Sequence, residues 1–313
     1  MEETDKLAHD SRIILYKVIR QLVLIVLVAL LIKSCITDSI AIRGRQMAPT
    51  LLNGDQILVS KFTNLPYLRE IIKPSIGKPV IYYTTLNRKE RFCARIAGIS
   101  GDTITIDSGI VYNSRNGVVA LKGREKASIV LPANFSPRDF YNNYRIPSRG
   151  DIVYPDSLTL RDFFSAVAVI RQENPKSRIT VKQDLYIDDT LSNDYFIKEF
   201  SLYKGTLDTL PLKYDFDWFF WDRLTQYINV TAEDYAVDIR FTVNIDSVPV
   251  SKYVVKEDYV FMLADNWSDG LDSRYTGPVM RKAIIGNVFF VIWSRKIGEG
   301  GGINFKRIGR IIR

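Results

Sequence analysis

The sequence predicts a mainly β protein with an antiparallel β-core, an inserted α+β subdomain and one apolar N-terminal helix. Short β-branched and aromatic runs, separated by glycine-containing turns, occur on both sides of the middle of the chain, and such runs are typical of antiparallel strands. Residues 22–32 form a continuous apolar run, and apolar residues recur with helical spacing over 159–172. Together these patterns place one helix before the strands and another within an interruption of them.

The first predicted element is a membrane anchor. Residues 22–32 are all apolar, and the apolar character extends back to Ile13, broken by a few polar residues. About 20 residues, each rising about 1.5 Å, cross the roughly 30 Å core of a bilayer. A cleaved secretory signal is the alternative, but residues 32–35 lack its small-x-small cleavage pattern. We therefore expect a tail at 1–12 and an uncleaved transmembrane anchor at 13–35.

Strand-forming runs follow the anchor and recur near the other end of the chain. They lie at 57–59, 79–83, 92–97, 103–106, 236–245 and 284–293. Gly-Asp, Gly-Lys-Pro and Ser-Gly-Asp sequences bound several of them, and these residue types favour tight turns. Asp107-Ser108-Gly109 followed by residues 110–112 predicts a hairpin. An antiparallel β-core accounts for these runs.

The middle of the chain, residues 114–250, differs in composition and in hydrophobic pattern. It contains the predicted helix, and residues 214–227 are rich in aromatic and acidic side chains. An aromatic cluster of this kind is more typical of a satellite core than of a ligand site. We expect 114–250 to be inserted into a β-core made of 36–113 and 251–297. A glycine-rich hinge and a basic, apolar tail that can lie on a membrane surface follow at 298–313.

The composition excludes several classes of chemistry. The chain has 43 Lys and Arg against 35 Asp and Glu, but no zinc-finger, basic-zipper or RNA-binding motif accompanies them. Anionic lipid, or a solvated surface, explains the basic residues better than nucleic acid does. The single histidine, His9, lies before the apolar run, which argues against a Ser-His-Asp triad and a histidine-ligated metal. Cys35 and Cys93 cannot hold zinc alone, and they are either a disulfide or two free thiols. We expect no metal and no cofactor.

Four sequence blocks carry a resemblance to a known family. In chain order they are Arg43–Leu51 with Gly54-Asp55 and Val59–Lys61, then Gly77–Tyr82, Ala94–Asp102 and Ala264–Val279. They resemble the motifs Pro-Ser-x-Ser-Met-x-Pro-Thr-Leu-x-x-Gly-Asp, Gly-Asp-Val-Val-Val-Phe, Lys-Arg-x-x-Gly-Leu-Pro-Gly-Asp and Gly-Asp-Asn-Arg-x-x-Ser-x-Asp-Ser-Arg of type I signal peptidases. The resemblance implies a β-core of signal-peptidase type on a single-pass anchor in the cytoplasmic (inner) membrane, with the C-terminal domain extracytoplasmic. It also implies a serine endopeptidase that cleaves signal peptides.

The residues that carry this family's reaction are replaced. In the family a serine hydroxyl attacks the peptide carbonyl, and a lysine kept neutral by its desolvated site takes the proton. The serine position is Gln46 and the lysine position is Ala94, and neither side chain can perform these steps. The serine that donates to the oxyanion falls on Gly44, and the serine that orients the lysine falls on Gly270. The four losses predict a protein that folds like the peptidase and does not cut.

The scaffold positions of the motifs remain. In the family, the charged residues among them form ion pairs that brace the loops around the site. The structural motif residues are Pro49, Asp55, Arg95, Asp102, Asp265, Asn266, Asp272, Ser273 and Arg274.

Peptide binding can persist without catalysis, because the family holds its substrate as an extended strand through main-chain groups. The matching segments are residues 40–43 and 91–94. The predicted substrate-binding residues are Ile40, Ala41, Ile42, Arg43, Met47, Arg91, Phe92 and Cys93. Arg43, Arg45 and Gln46 would alternatively obstruct binding and leave a structural subunit. The implied partners are membrane lipid and signal peptides or pro-peptides of secreted proteins, with an active signal peptidase or the secretion machinery as further candidates.

An active signal peptidase with relocated catalytic groups is the other hypothesis. The candidate groups are Ser39, Ser60 and Ser100 as nucleophiles and Lys61, Lys78 and Lys89 as bases, with Cys93 beside the base position. A misplacement of about 1 Å can cost about 100-fold in rate, so relocated groups must meet a strict geometry. Side chains alternate along a strand, which directs Cys93 away from the face of Ala94.

Overall fold

The structure is a computed structural model that describes residues 15–30, 36–83, 90–119, 121, 129, 137–192, 218, 222, 226, 230, 236–298 and 301–312. Its first element, helix α1, spans residues 15–30. Within the described residues, no helix is both long enough and apolar enough to cross a membrane. Residues 13–14 and 31–35 of the predicted anchor lie outside the described part of the chain.

Strands dominate the rest of the chain. In chain order they are β1 (Thr37–Ala41), β2 (Asp55–Ser60), β3 (Pro79–Tyr83), β4 (Arg91–Ile99), β5 (Thr103–Asp107), β6 (Ile110–Asn113), β7 (Gly117–Val118), β8 (Tyr141–Arg145), β9 (Ile152–Val153), β10 (Ile179–Ile187), β11 (Thr190–Leu191), β12 (Val237–Ile245), β13 (Val248–Pro249), β14 (Tyr253–Val254), β15 (Tyr259–Leu263), β16 (Val279–Met280), β17 (Ile284–Lys296) and β18 (Gly302–Ile303). The α-helices after α1 are α2 (Pro66–Ile71), α3 (Leu160–Glu173) and α4 (Ser273–Thr276). Short 3-10 helices lie at Phe62–Asn64, Pro155–Ser157, Arg281–Ala283 and Phe305–Arg307. Each predicted strand-forming run overlaps one of these strands, so the mainly β, antiparallel fold class is confirmed.

The chain forms two compact units, and the first comprises residues 1–42, 54–73 and 286–312. Here β1 pairs antiparallel with β2, β2 pairs with β17, and β18 pairs with β17. Ile57 and Val59 of β2 are fully buried, because alternate residues of a strand face the same side of a sheet.

A buried carboxylate ties the C-terminal tail to β2 within this unit. Asp55 accepts hydrogen bonds from the Ser294 hydroxyl at 2.7 Å and from Nε and Nη2 of Arg307 at 3.0 and 2.5 Å. Charge-assisted bonds of this kind offset the cost of burying an ion pair. The backbone N–H of Gly309 also donates to the carbonyl of Val291 at 2.8 Å. The basic tail therefore lies along β17, a contact that its charge and hydropathy did not predict.

The second unit comprises residues 43–53, 74–285 and 313. One antiparallel sheet has the strand order β3-β4-β15-β16, with Val80 opposite Ala94 and Val260 opposite Ile99. Two further sheets have the orders β7-β6-β5-β8 and β11-β10-β12-β13, and β9 pairs with β14. The predicted hairpin is present, since Asp107 of β5 faces Ile110 of β6.

Helix α3 packs against the core of the second unit. Its N-cap is Thr159, whose hydroxyl accepts a hydrogen bond from the backbone N–H of Asp162. Phe163, Val167 and Ile170 are buried in the main hydrophobic cluster, so the predicted amphipathic helix is confirmed. Trp218 also packs against this cluster. The other residues of 214–227, apart from positions 222 and 226, lie outside the described chain.

Candidate functional site

Gln46 lies in a series of turns that begins the second unit. The backbone N–H of Ala48 donates to the carbonyl of Arg45 at 2.9 Å, and the N–H of Leu51 donates to the carbonyl of Met47 at 2.8 Å. Met47 and Leu51 are buried and fix the segment to the core. The half-buried Gln46 side chain donates through Nε2 to the carbonyl of Leu271 at 2.7 Å. Its carboxamide is therefore held in a fixed position.

Asn266, which is distant in sequence, also makes hydrogen bonds to the turn that contains Gln46. Its backbone N–H donates to the carbonyl of Gln46, and its Nδ2 donates to the carbonyl of Arg45, both at 3.0 Å. Its own Oδ1 accepts from the backbone N–H of Asp269 at 3.1 Å. Together with Leu271, Asn266 joins the Gln46 turn to the loop between β15 and α4.

Tyr82 of β3 lies near Gln46. The Gln46 side chain is within interaction range of the Tyr82 hydroxyl, and the family motif has phenylalanine at this position. Burial raises the pKa of Tyr82 well above its usual value, and the nearby Asp272 and Cys93 raise it further. At neutral pH the group is a neutral phenol, which neither takes a proton from a nucleophile nor attacks a carbonyl.

Ala94 presents only a methyl group at the position predicted for the general base. The residue is fully buried in an apolar cluster with Val80, Ile96, Val260 and Met262. Such surroundings would desolvate an amine and keep it neutral, but alanine has no proton acceptor.

Cys93 does not replace the missing base. It faces Ile81 in the β3–β4 pairing while Ala94 faces Val80, so the two neighbouring side chains lie on opposite faces of the sheet. Cys93 is a buried free thiol. Burial, with Asp265 nearby, raises the pKa of the thiol, which leaves little of the nucleophilic thiolate.

The two glycines at helper positions have different surroundings. A Cβ atom at Gly44, whose φ is +81°, would meet no atom within 4 Å. A Cβ atom at Gly270 would lie 2.3 Å from Cβ of Ala264 and 2.5 Å from the carbonyl oxygen of Asn266. The serine that the family motif has at this position therefore has no space in this chain. The family motif has glycine at the position of Ala264.

Ion pairs brace the loops around the site. Arg95 donates to Asp265 through Nε at 2.6 Å and Nη2 at 3.0 Å, and through Nη1 to the carbonyl of Gly77 at 2.9 Å. Arg274 pairs with Asp272 at 2.9 and 2.7 Å. All four charged residues are almost completely buried, and their hydrogen bonds offset the desolvation cost.

Other motif residues have structural partners outside the motifs. Asp102 binds Arg115 and Asn113 at 2.8 and 2.9 Å, and Ser273 accepts from the backbone N–H of Met262 at 3.0 Å. Pro49 follows Ala48 through a cis peptide bond.

Trp267 and Asp139 form a buried hydrogen bond near the candidate site that the sequence did not predict. The indole N–H of Trp267 donates to Asp139 at 2.7 Å, and the Arg274 guanidinium lies 4.0 Å from the Trp267 ring centroid. Trp267 stands where the family motif has arginine, which is the sequence signal that could have singled it out. Asp139 lies 128 residues away in the predicted insertion, so no local pattern connects the two.

The predicted substrate-binding residues lie in two strand segments. Ile40 and Ile42 are buried, while Ala41 lies between them and is exposed, at the end of β1 in the first unit. Arg91 is exposed and Phe92 is half-buried at the start of β4 in the second unit. Arg43 is exposed and Met47 is buried.

Three of the relocated groups of the alternative hypothesis, Ser100, Ser39 and Lys61, have other partners. The Ser100 hydroxyl donates to the carbonyl of Tyr259 and accepts from its N–H, Ser39 accepts from Gln56, and Lys61 lies 3.4 Å from Asp38. Lys89 lies outside the described residues. In the part of the chain that the structure describes, no group of His, Cys, Asp and Glu residues could hold a metal ion.

Comparison with known proteins gives one consistent result. The family model described as "Signal peptidase, peptidase S26" matches residues 15–154 and 175–293. Signal peptidase I of Buchnera aphidicola subsp. Baizongia pistaciae is 25% identical over 303 residues, covering 92% of this chain and 80% of that protein. Signal peptidase I of Aquifex aeolicus is 24% identical over 281 residues, covering 90% and 85%. Signal peptidase I of Buchnera aphidicola subsp. Schizaphis graminum is 26% identical over 295 residues, covering 91% and 78%.

Proposed function

Because the chain belongs to the peptidase S26 family of signal peptidases, we propose that it is a membrane-anchored member that binds signal peptides or pro-peptides without cutting them. The observation that carries the proposal is the chemical nature and the hydrogen bonding of the Gln46 side chain. A carboxamide that donates a hydrogen bond to the carbonyl of Leu271 stands where the reaction needs a free nucleophile. It forms no acyl-enzyme, and Ala94 cannot activate it.

The frame around these positions supports a retained binding role. The buried pairs of Arg95 with Asp265 and of Arg274 with Asp272 would destabilise the fold if either partner were lost, so they maintain the loops irrespective of catalysis. Main-chain pairing with an extended peptide needs no catalytic side chain. β1 is suited to such pairing because it is the terminal strand of its sheet, with β2 on one side. The start of β4 is the second candidate segment.

A binding measurement tests this function. The full chain, immobilised in detergent micelles, is offered a preprotein and the mature form of the same protein without its signal peptide. We expect the preprotein to be captured with its mass unchanged and the mature form to pass through. Equal capture of the two proteins, or capture of neither, would contradict a role in binding signal peptides.

We also propose that residues 13–35 anchor the chain in the cytoplasmic membrane with the C-terminal domain extracytoplasmic. Leu24, Ile25 and Leu27 of α1 are each more than half exposed, and a contiguous apolar surface of this kind requires a non-aqueous environment. We expect the full chain to remain in the membrane pellet after washing with alkaline sodium carbonate, and a variant lacking residues 1–35 to be released. Recovery of the full chain in the carbonate supernatant would refute the anchor.

A further inference from the structure

Two arginines flank Gly44, directly before the nucleophile position. Arg43 and Arg45 are both exposed, and neither guanidinium makes an ion pair or hydrogen bond with a residue that the structure describes. The space beside Gly44 is open, since a Cβ atom there would meet nothing within 4 Å. Two exposed arginines therefore lie within three residues of Gln46 in the chain, on either side of a glycine with open space around its Cβ position.

The backbone of Gln46 adds a hydrogen-bond donor to these charges. Its side chain donates to the carbonyl of Leu271, and its carbonyl accepts from Asn266. Its backbone N–H makes no hydrogen bond within the described chain. One short exposed segment thus supplies a free N–H donor and two guanidinium groups, which are the groups that recognise a carboxylate.

The chemistry of signal-peptide cleavage indicates which carboxylate. This step rests on the proposed function, in which a bound peptide lies with its cleavage-site carbonyl at position 46. In an uncut preprotein that carbonyl belongs to a neutral amide, which gains little from a guanidinium. After an active signal peptidase has hydrolysed the bond, the same carbon is the C-terminal carboxylate of the released signal peptide. Arginine pairs with a carboxylate through two parallel hydrogen bonds.

We propose that Arg43, Arg45 and the backbone N–H of Gln46 form a carboxylate site that prefers a cleaved signal peptide to the uncut sequence. The ligand class is a peptide that ends in small residues and carries a free C-terminal carboxylate. In this proposal the chain binds the signal peptide that an active signal peptidase has released, and it does not catalyse the cleavage itself.

Two synthetic peptides that differ only at the C-terminus test the proposal. Each is a ten-residue peptide ending in Ala-x-Ala, one with a free carboxylate and one with a C-terminal amide. Binding to the full chain in detergent micelles is measured by isothermal titration calorimetry. We expect the acid to bind about tenfold more tightly than the amide, as charge-assisted pairs predict. The preference should shrink as salt is raised.

Variants assign the preference to the two arginines. Arg43→Gln with Arg45→Gln should abolish the preference, so that acid and amide bind with equal affinity. Arg310→Gln, at another exposed arginine, is the matched control and should keep the tenfold preference. Equal binding of both peptides by the unmodified chain overturns the carboxylate site and leaves the proposed function standing. Binding of neither peptide overturns both, and a preference that survives in the double variant removes the arginines from the site.

Discussion

A preprotein incubated with the purified chain is expected to remain uncut. Relative to a signal peptidase with serine and lysine in place, the rate should be lower by about 10⁵-fold or more, because removing a nucleophile alone costs on the order of 10⁶ in related chemistry. Gln46 and Ala94 occupy the positions predicted for the two reacting groups, and Tyr82 is a neutral phenol. Mass spectrometry of the preprotein, which detects a new N-terminus at the signal-peptide boundary, gives the measurement.

The control for this result is a mock preparation from cells that lack the gene, since a trace of host signal peptidase would cleave the same bond. An active signal peptidase in the same detergent shows that the preprotein is competent. Cleavage at the signal-peptide boundary that exceeds the mock preparation, and that is lost in Ser60→Ala or Ser100→Ala, would establish the relocated-group hypothesis instead.

The sequence predicts the elements of the fold well, because their signals are local. Runs of β-branched residues bounded by turns give β3, β4 and β5 almost residue for residue, and the apolar spacing over 159–172 gives α3 to within one residue at each end. Strand alternation also predicts, from the sequence alone, that the side chains of Cys93 and Ala94 lie on opposite faces of the sheet. These features depend on neighbours within a few positions.

The contacts that define the candidate site are not local, and most could not be predicted. Gln46 meets Leu271, 225 residues away, and Asp55 meets Arg307, 252 residues away. No periodicity encodes such pairings; they arise when strands assemble. The resemblance pointed to loop-bracing ion pairs, and Arg95 with Asp265 and Arg274 with Asp272 have that geometry. The sequence could not indicate that Tyr82 lies near Gln46, or that the chain around Gly270 has no space for a side chain.

The tight packing around Gly270 gives a second prediction with a large effect. We expect Gly270→Ala to destabilise the folded chain by about 3 kcal/mol, which is at the upper end of typical overpacking costs. The added methyl group would lie 2.3 Å from Cβ of Ala264 and 2.5 Å from the carbonyl oxygen of Asn266, so the loop must move. The free energy of unfolding in urea gives the measurement. Gly302→Ala is the matched control, because a Cβ atom there meets nothing within 4 Å; it should change stability by less than about 0.5 kcal/mol.

A double-mutant cycle then tests whether positions 264 and 270 changed together. Ala264→Gly removes one of the two clashing groups, so it should recover part of the loss in Gly270→Ala, with a coupling energy of about 1 kcal/mol or more. The carbonyl of Asn266 remains and limits the recovery. Strictly additive effects would contradict the pairing.

If the coupling is found, the family's glycine at 264 and serine at 270 have been exchanged here for alanine and glycine as one packing unit. The lysine-orienting serine then cannot return by a single substitution, and restoring Gln46→Ser and Ala94→Lys alone would leave the catalytic lysine without its orienting partner.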